Sequence, residues 1–592
     1  MWLLMLPLLM QTPTARQVLE AEHARGADVS VLMAATRSTD VRLQRLAVRA
    51  LGRLERPSLR DSVGPLLTSP NVDVRREAVN ALGQMNAVFD FAGLLPKEKS
   101  GRVRAVIYET MGRVTPAASG TEAALAAGLL DADTLVRNGA ARGLEAFVRK
   151  QGRAPQVAPT TVTALQRALR ANRSEELRQL VLLALTAAGS RDSATYAIAL
   201  RDPSPQVRRL AVIASRQWID DPSPMVHYQA LRVAGTCERA MAAVRDRSEH
   251  VALTAIDILG EQKCNATTSA PLLQMVITDG TTWRMRAHAI VALALVAPDL
   301  ARSALATAAS ARMWQERVYA ATAAKLLKDN DVLAKLAVDA APNVAIAAMS
   351  SADDALRALT SEHAGLLLAA ANQLKGSPQL AASLPQLRAA AQRLRSANRS
   401  TYRDPLVAIT ERLAEAGESV TMPRVADFPI EPLPSDSLLR ALEGATVRVR
   451  IRGLGVITLE LLPDEAPLAV ATFVQLAESG KFAGLTFHRI VPNFVIQGGS
   501  PGADEYDGVS AGFMRDEVGL ARNARGSLGI STRGRDTGDG QIYVNLVDNF
   551  RLDHDYTIFA RVTSGLELID RVQEGDGMQS VEIVRKKGQG AR

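Results

Sequence analysis

An aliphatic residue followed by arginine recurs along the first half of the chain, after a polar or Asp/Pro turn and before an Ala-rich helical stretch. It reads Asp40-Val41-Arg42 to Ala50-Leu51-Gly52, then Asp73-Val74-Arg75 to Ala81-Leu82-Gly83. It returns at Val103-Arg104, Val136-Arg137, Leu177-Arg178, Val207-Arg208 and Met285-Arg286. Val41 to Val74 is 33 residues, Val103 to Val136 is again 33, and Val136 to Leu177 is 41. Self-similarity at intervals of roughly 20–50 residues specifies a stacked array. One helix pair cannot bury the apolar face carrying Val48 and Leu51, so successive pairs must cover one another. Asp40 and Asp73 are predicted helix N-caps. Gly52 and Gly83 fall near helix ends. Asp202-Pro203-Ser204-Pro205 and Asp221-Pro222-Ser223-Pro224 mark turns between helices.

At these residues the arm resembles HEAT repeats, over about residues 20–340. The resemblance implies an extended surface for an unidentified protein partner; the alternative is a spacer. The predicted organisation is an apolar signal-like segment at 1–15, an all-α HEAT-like solenoid at 16–340 and a helical end to it at 341–420. A Pro-rich linker follows at 421–435, and then a domain of different period at 436–592. The linker holds Asp427-Phe428-Pro429-Ile430-Glu431-Pro432-Leu433-Pro434, and such segments are extended and semi-rigid.

Composition narrows the function. Aromatic residues are only 4% of the chain, so a helical core here is built from Ala, Leu and Val. Net charge is +10 before Gly444 and −2 from Gly444 onwards, with acids and bases mixed throughout. Nucleic-acid binding calls for a concentrated basic stripe with stacking groups, and none is present. The seven histidines are scattered, which predicts no metal site, and no bound cofactor is expected. Cys237 and Cys264 are too few for a disulfide framework. They are read as two core thiols, with a single disulfide between neighbouring helices as the alternative. Met1 to Met10 is apolar but shorter than the roughly 20 residues a membrane-crossing helix needs, and no other segment reads as a transmembrane span. It resembles the apolar part of an export signal, which gives a mature chain beginning near Arg16. A cytoplasmic chain with an unstructured tail is the alternative.

After Asp436 the period changes from helix to strand. Thr446-Val447-Arg448-Val449-Arg450-Ile451-Arg452 alternates, Gly453-Leu454-Gly455 turns, and Val456 to Leu461 returns as a hairpin. Pro467 opens a helix that Gly480 ends. Further short strands separated by Gly/Asp loops imply a β-barrel or sandwich. Phe487-His488-Arg489-Ile490-Val491-Pro492-Asn493-Phe494-Val495-Ile496-Gln497-Gly498-Gly499 follows. This segment is similar to the central motif of cyclophilins. Two more blocks agree with it, Gly526 to Ser531 running on to Gly540-Gln541-Ile542-Tyr543-Val544, and Leu552-Asp553 to Val562. The resemblance covers about residues 444–585 and implies a closed eight-stranded β-barrel with two capping helices.

The chemistry it implies is rotation about X–Pro bonds. Resonance holds that amide planar behind a barrier of about 18–20 kcal/mol. A catalyst must bind the twisted amide better than either planar form. Twisting returns the lone pair to the proline nitrogen, where a fixed donor stabilises it. Arg489 offers a permanently charged fork of donors. Phe494, Val495, Tyr543 and Leu552 suit a slot for the proline ring, while Gln497 and Gln541 suit the peptide backbone. Strand alternation puts Val495 and Gln497 on one face.

The resemblance assigns Arg489 as catalytic, with Phe494, Val495, Gln497, Ser531, Thr532, Gln541, Tyr543, Leu552 and Tyr556 in the substrate groove. Val495 stands where well-known members have Met, Tyr543 where they have Phe, Thr532 where they have Asn and Tyr556 where they have His. Arg551 replaces the Trp of eukaryotic members, which argues against strong cyclosporin binding. His488 is read as structural, because the reaction moves no proton. Gly508-Val509-Ser510-Ala511-Gly512 fits the hydrolase pattern GxSxG without the preceding strand that pattern requires. The expected function is a peptidyl-prolyl isomerase acting on proline-containing polypeptides and aiding their folding. The alternative is a scaffold whose barrel binds such segments without turnover.

Overall fold

The first helices show how the repeat is built. The computed structural model describes residues 12–171, 174–279 and 282–585, so the apolar segment Met1–Met10 lies outside the described residues. Asp40 caps the helix Val41–Arg53, its carboxylate accepting from the Arg42 amide at 2.8 Å. The next helix, Val72–Gln84, is capped by Asn71 rather than by Asp73. The Asn71 side-chain oxygen accepts from the Asp73 and Val74 amides at 2.9 and 3.2 Å. Asp73 sits in the first turn instead, where it pairs with Arg76 and Arg102. A carboxylate there still meets the positive end of the helix dipole.

At four places an arginine early in a helix has a common task. Arg75 donates to the carbonyls of Ser69 and Pro70, Arg137 to those of Asp131 and Ala132, and Arg208 to those of Asp202 and Pro203. Arg317 repeats the pattern on Ala311 and Arg312. In each case the guanidinium reaches back to carbonyls five and six residues earlier and closes the turn that precedes its own helix. Such orphan carbonyls need a partner. Gly52 and Gly83 are the last-but-one residues of their helices. A Cβ at Gly52 would stand 2.8 Å from the Ala81 Cβ, so glycine there permits close approach of neighbouring helices.

By compactness the chain divides into two units that cut across the change of period. The first comprises residues up to Ser215 with Glu517–Arg522 and Phe550–Asp555. Within it the helices Val41–Arg53, Val72–Gln84, Gly101–Arg113, Thr134–Lys150, Glu175–Ala187 and Pro205–Ser215 pack in succession. The two late segments belong to this unit by ion pairing. Arg53, fully buried, meets Glu22 at 3.0 Å and donates to the carbonyls of Glu517 and Val518. Arg522 and His554 both bind the Glu109 carboxylate, and Arg142 meets Asp553 at 2.6 Å.

The second unit holds Arg216–Asp516, Asn523–Asn549 and the residues from Tyr556 onwards. Within it the helices Glu249–Glu261, Trp283–Val296, Trp314–Leu327 and Pro342–Ala348 pack in succession. Cys237 and Cys264 are joined in a disulfide, with Cα atoms 5.6 Å apart, and are not two core thiols. Cys237 opens the helix Cys237–Ala243 and Cys264 follows the helix Glu249–Glu261 that packs on it. That arrangement brings both sulfurs to one end of the pair, within disulfide reach. The Pro-rich segment holds a 3-10 turn, Val425–Asp427, and beyond it is pinned. Ile430 pairs with Phe513 as an isolated parallel bridge. The Glu431 amide donates to the Phe513 carbonyl at 2.9 Å, and the Phe513 amide donates to Pro429 at 2.8 Å. Ile430 and Glu431 keep the amide N–H that the flanking prolines lack.

Eight strands follow: β1 Thr446–Ile451, β2 Gly455–Leu461, β3 Phe487–Val491, β4 Val495–Gly498, β5 Ser527–Ile530, β6 Ile542–Asn545, β7 Ile558–Ser564 and β8 Met578–Val584. Their order is β3-β4-β6-β5-β7-β2-β1-β8, antiparallel throughout. The barrel closes where Thr486 bridges Gly577 and the Phe487 amide donates to Asp576. The helix Pro467–Glu478 is one capping helix, and the other is a single turn, Leu566–Ile569. The core carries Phe473 at its centre, with the rings of Phe482 and Phe559 at 5.2 and 5.0 Å. Replacing Phe473 by alanine should lower the stability of the barrel by about 3–5 kcal/mol, read as a lower urea midpoint. An unchanged midpoint would mean the core does not rest on this ring.

Candidate functional site

Register aligns the site. Arg489 on β3 stands opposite Gln497 on β4, Gln497 opposite Tyr543 on β6, and Tyr543 opposite Gly529 on β5. Ile496, Val544 and Leu528 alternate with these residues and point into the core. The row Arg489–Gln497–Tyr543–Gly529 therefore lies on the outer face of the barrel wall. Gly529 makes room there, because a Cβ would fall 2.3 Å from the Tyr543 hydroxyl. The Tyr543 ring is buried, and its hydroxyl donates to Asn523 Oδ1 at 2.7 Å. Tyr556 meets it edge-on, with ring centroids 5.9 Å apart. Val495 is buried beside this row, opposite Asn545.

Polar side chains link the row laterally. Arg489 Nη1 donates to Gln497 Oε1 at 3.4 Å, and Gln497 Nε2 donates to Gln541 Oε1 at 3.0 Å. Both glutamines are buried while the Arg489 side chain is 39% exposed, so the guanidinium is the accessible end of the chain. Arg489 Nε also lies 3.1 Å from the Glu505 carboxylate. The backbone beside the site is held from several directions. Asn493, at φ 60° in the β3–β4 turn, donates to the Met225 carbonyl at 2.9 Å. The Phe494 carbonyl accepts from the Leu546 amide and the Asn549 side chain, both at 2.9 Å. Ser531 donates its amide to the Gln541 carbonyl at 2.9 Å, and Thr532 follows half-buried. Leu552 belongs to the first compact unit, in the turn Phe550–Leu552; the other nine predicted site residues belong to the second.

What the arrangement can do follows from its donors and walls. An exposed, permanently charged fork sits at the edge of an aromatic and aliphatic surface, with buried amides fixing its direction. This is a donor held ready for charge that develops on a neighbouring group. A family model described as cyclophilin type peptidyl-prolyl cis-trans isomerase/CLD matches residues 446–587, and a HEAT-repeat model matches 29–111. A peptidyl-prolyl cis-trans isomerase of Helicobacter pylori is 40% identical over 133 residues, spanning 22% of this chain and 80% of that protein. This chain belongs to the cyclophilin-type peptidyl-prolyl cis–trans isomerases. Peptidyl-prolyl cis-trans isomerase B of Bacillus subtilis is 37% identical over 128 residues, spanning 22% of this chain and 90% of its own. A crystal structure of a Cryptosporidium parvum cyclophilin type isomerase aligns over 24% of this chain and 98% of its own, at 23% identity and a TM-score of 0.22.

Several residues of this cyclophilin were missed in the sequence. Asn523, Asn545 and Asn549 form a buried amide cluster that orients Tyr543 and Phe494. Glu505, which faces Arg489, lies in a Gly/Asp loop, where an acid reads as solvated. Ser510 of the GxSxG segment donates to the Gly512 carbonyl at 2.7 Å. Asp539 is buried under the site, and burial pushes its carboxyl up while Arg533 opposes the shift. His488, next to Arg489, is pushed down to about 4 by burial.

His488 sets a pH dependence. Its folded value lies below the ordinary 6.5, so the unfolded chain takes up the proton first as pH falls. The stability it withdraws is absent above about 6.5 and accumulates towards about 4. His250, in the same unit and also pushed down to about 4 by burial, acts in the same sense. The urea midpoint should therefore fall from about pH 7 to about pH 5, and His488→Gln should flatten part of that fall. An equally steep fall in the variant would assign it to other groups.

Proposed function

We propose that Arg489 is the catalytic residue of this isomerase and that the outer face of β4, β5 and β6 is its peptide groove. The observation that carries the reading is the Arg489–Gln497–Gln541 chain beside buried Val495 and Tyr543. Arg489 donates to the proline nitrogen as the amide twists. Phe494, Val495, Tyr543 and Tyr556 take the proline ring and its neighbours. Gln497, Gln541, Ser531 and Thr532 bind the peptide backbone. The clients are proline-containing polypeptides whose folding waits on an X–Pro bond, because uncatalysed rotation takes tens to hundreds of seconds at about 25 °C. The HEAT repeats hold a protein partner, since a stacked array offers an extended surface.

The same proposal places the protein outside the cytoplasm. The Cys237–Cys264 disulfide supports this, because disulfides persist in oxidising compartments. The apolar start of the sequence supports it as well. Mass spectrometry of the native protein should find a first residue near Arg16, and an intact Met1 would refute export by this route.

Arg489→Ala should reduce turnover by roughly 10²–10³-fold with little change in peptide affinity, by analogy with the loss of one preorganised donor. Lysine should not rescue it, because a point charge on a flexible stem does not reproduce the planar fork. Phe494→Ala should act mainly on affinity, since the floor of the slot contacts the ring in every state. NMR exchange on a short X–Pro peptide measures both, with circular dichroism to establish folding. Wild-type turnover in folded Arg489→Ala would favour the binding scaffold instead.

A further inference from the structure

The catalytic arginine is tied to the helical region by buried charge. Arg533 lies between two carboxylates within the second unit. Its Nε meets Asp404 Oδ2 at 2.5 Å, and its Nη1 meets Asp539 Oδ2 at 2.8 Å. Asp404 sits in the first turn of the helix Arg403–Glu415, and Asp539 lies in the loop before β6. The Asp404 and Arg533 side chains are 17% and 15% exposed, and that of Asp539 is 1% exposed. Arg403 completes the clasp, donating to Asp404 Oδ1 at 2.8 Å and to the Arg533 carbonyl at 3.2 Å.

Two routes run from Arg533 to Arg489. In the first, Asp539 accepts from the Gln541 amide at 3.2 Å and lies 3.5 Å from its side-chain nitrogen. Gln541 holds Gln497, and Gln497 holds the Arg489 guanidinium. In the second, Arg533 Nη1 donates to the Glu505 carbonyl at 2.5 Å, while the Glu505 carboxylate faces Arg489 Nε. Both contacts that Arg489 makes thus lead back to one guanidinium, and that guanidinium is held in turn by Asp404. Burial favours the neutral form of Arg533, but the Asp539 and Asp404 carboxylates more than offset it and keep the group charged. A charge-assisted, buried clasp of this kind has one preferred geometry.

We propose that Asp404 is a positioning residue for Arg489, acting from the helical region through Arg533. The proposal rests on the reading of Arg489 as catalytic. Loss of the Asp404 charge frees Arg533 to move towards Asp539, and both supports of the catalytic guanidinium shift with it. Misplacement on the scale of an ångström is enough to reduce the rate strongly. Peptide affinity changes less than turnover, because Asp404 itself lies outside the proposed peptide contacts and reaches Gln541 only through Arg533 and Asp539.

The test uses the full chain and a short X–Pro peptide followed by NMR exchange. Asp404→Asn should lower turnover roughly tenfold with peptide affinity within about twofold of wild type. Asp404→Glu, which keeps the charge, should recover part of the loss. In the Arg489→Ala background, Asp404→Asn should add almost nothing, because residues that act through one another are not additive. If Asp404→Asn does not fold by circular dichroism, Arg533→Lys takes its place in the same cycle. Wild-type turnover in the folded variant would overturn the proposal. An undiminished tenfold loss in the Arg489→Ala background would overturn it too, while leaving Arg489 catalytic. Wild-type turnover in Arg489→Ala alone would instead remove the catalytic reading, and this one with it.

Discussion

The antiparallel register of β3, β4, β6 and β5 is the constraint on which the site depends. It sets Arg489, Gln497, Tyr543 and Gly529 side by side on the outer wall, while Ile496, Val544 and Leu528 fill the core. A slip of one residue would exchange those two sets, because side chains alternate with period two. The core thus protects the site: burying Ile496 and Val544 obliges Gln497 and Tyr543 to face outwards. Barrel closure at Thr486 and Gly577 removes the free edge at which such a slip could start.

Arginine does similar work in both parts of the chain. In the helical region Arg75, Arg137, Arg208 and Arg317 each close the turn before their own helix by binding two carbonyls. Arg53 and Arg533 reach across long sequence separations, each drawing together two carboxylates, with two backbone carbonyls at Arg53 and one at Arg533. A planar fork with several donors can satisfy partners on separate segments at once, which a lysine cannot. The basic excess ahead of Gly444 thus includes internal fasteners as well as a solvated surface.

Compactness and sequence period answer different questions. The period changes near Asp436 because strands and helices bury different faces. The compact units divide elsewhere, since Glu517–Arg522 and Phe550–Asp555 are drawn to the early helices by Arg53, Glu109 and Arg142. No pattern along the chain marks an arginine near residue 53 as the partner of a carboxylate near residue 517. Ion pairs of this kind have no periodicity, so only the fold exposes them.

The sequence by itself determined what local chemistry decides. The recurring aliphatic-Arg pattern announced the helical stack, because an amphipathic face has to be covered. The motif around Arg489 announced the barrel, and alternation set Val495 and Gln497 on one face of it. Local reading failed where two segments compete for one role. Asn71 took the cap expected of Asp73, and Cys237 found Cys264 across a helix pair. Only the tertiary structure decided that Asn523 holds Tyr543, that Glu505 faces Arg489, and that Asp404 reaches Arg533 over 129 positions. Those contacts depend on where distant backbones lie in space, and directional bonds between polar groups on separate segments leave no trace in the order of residues.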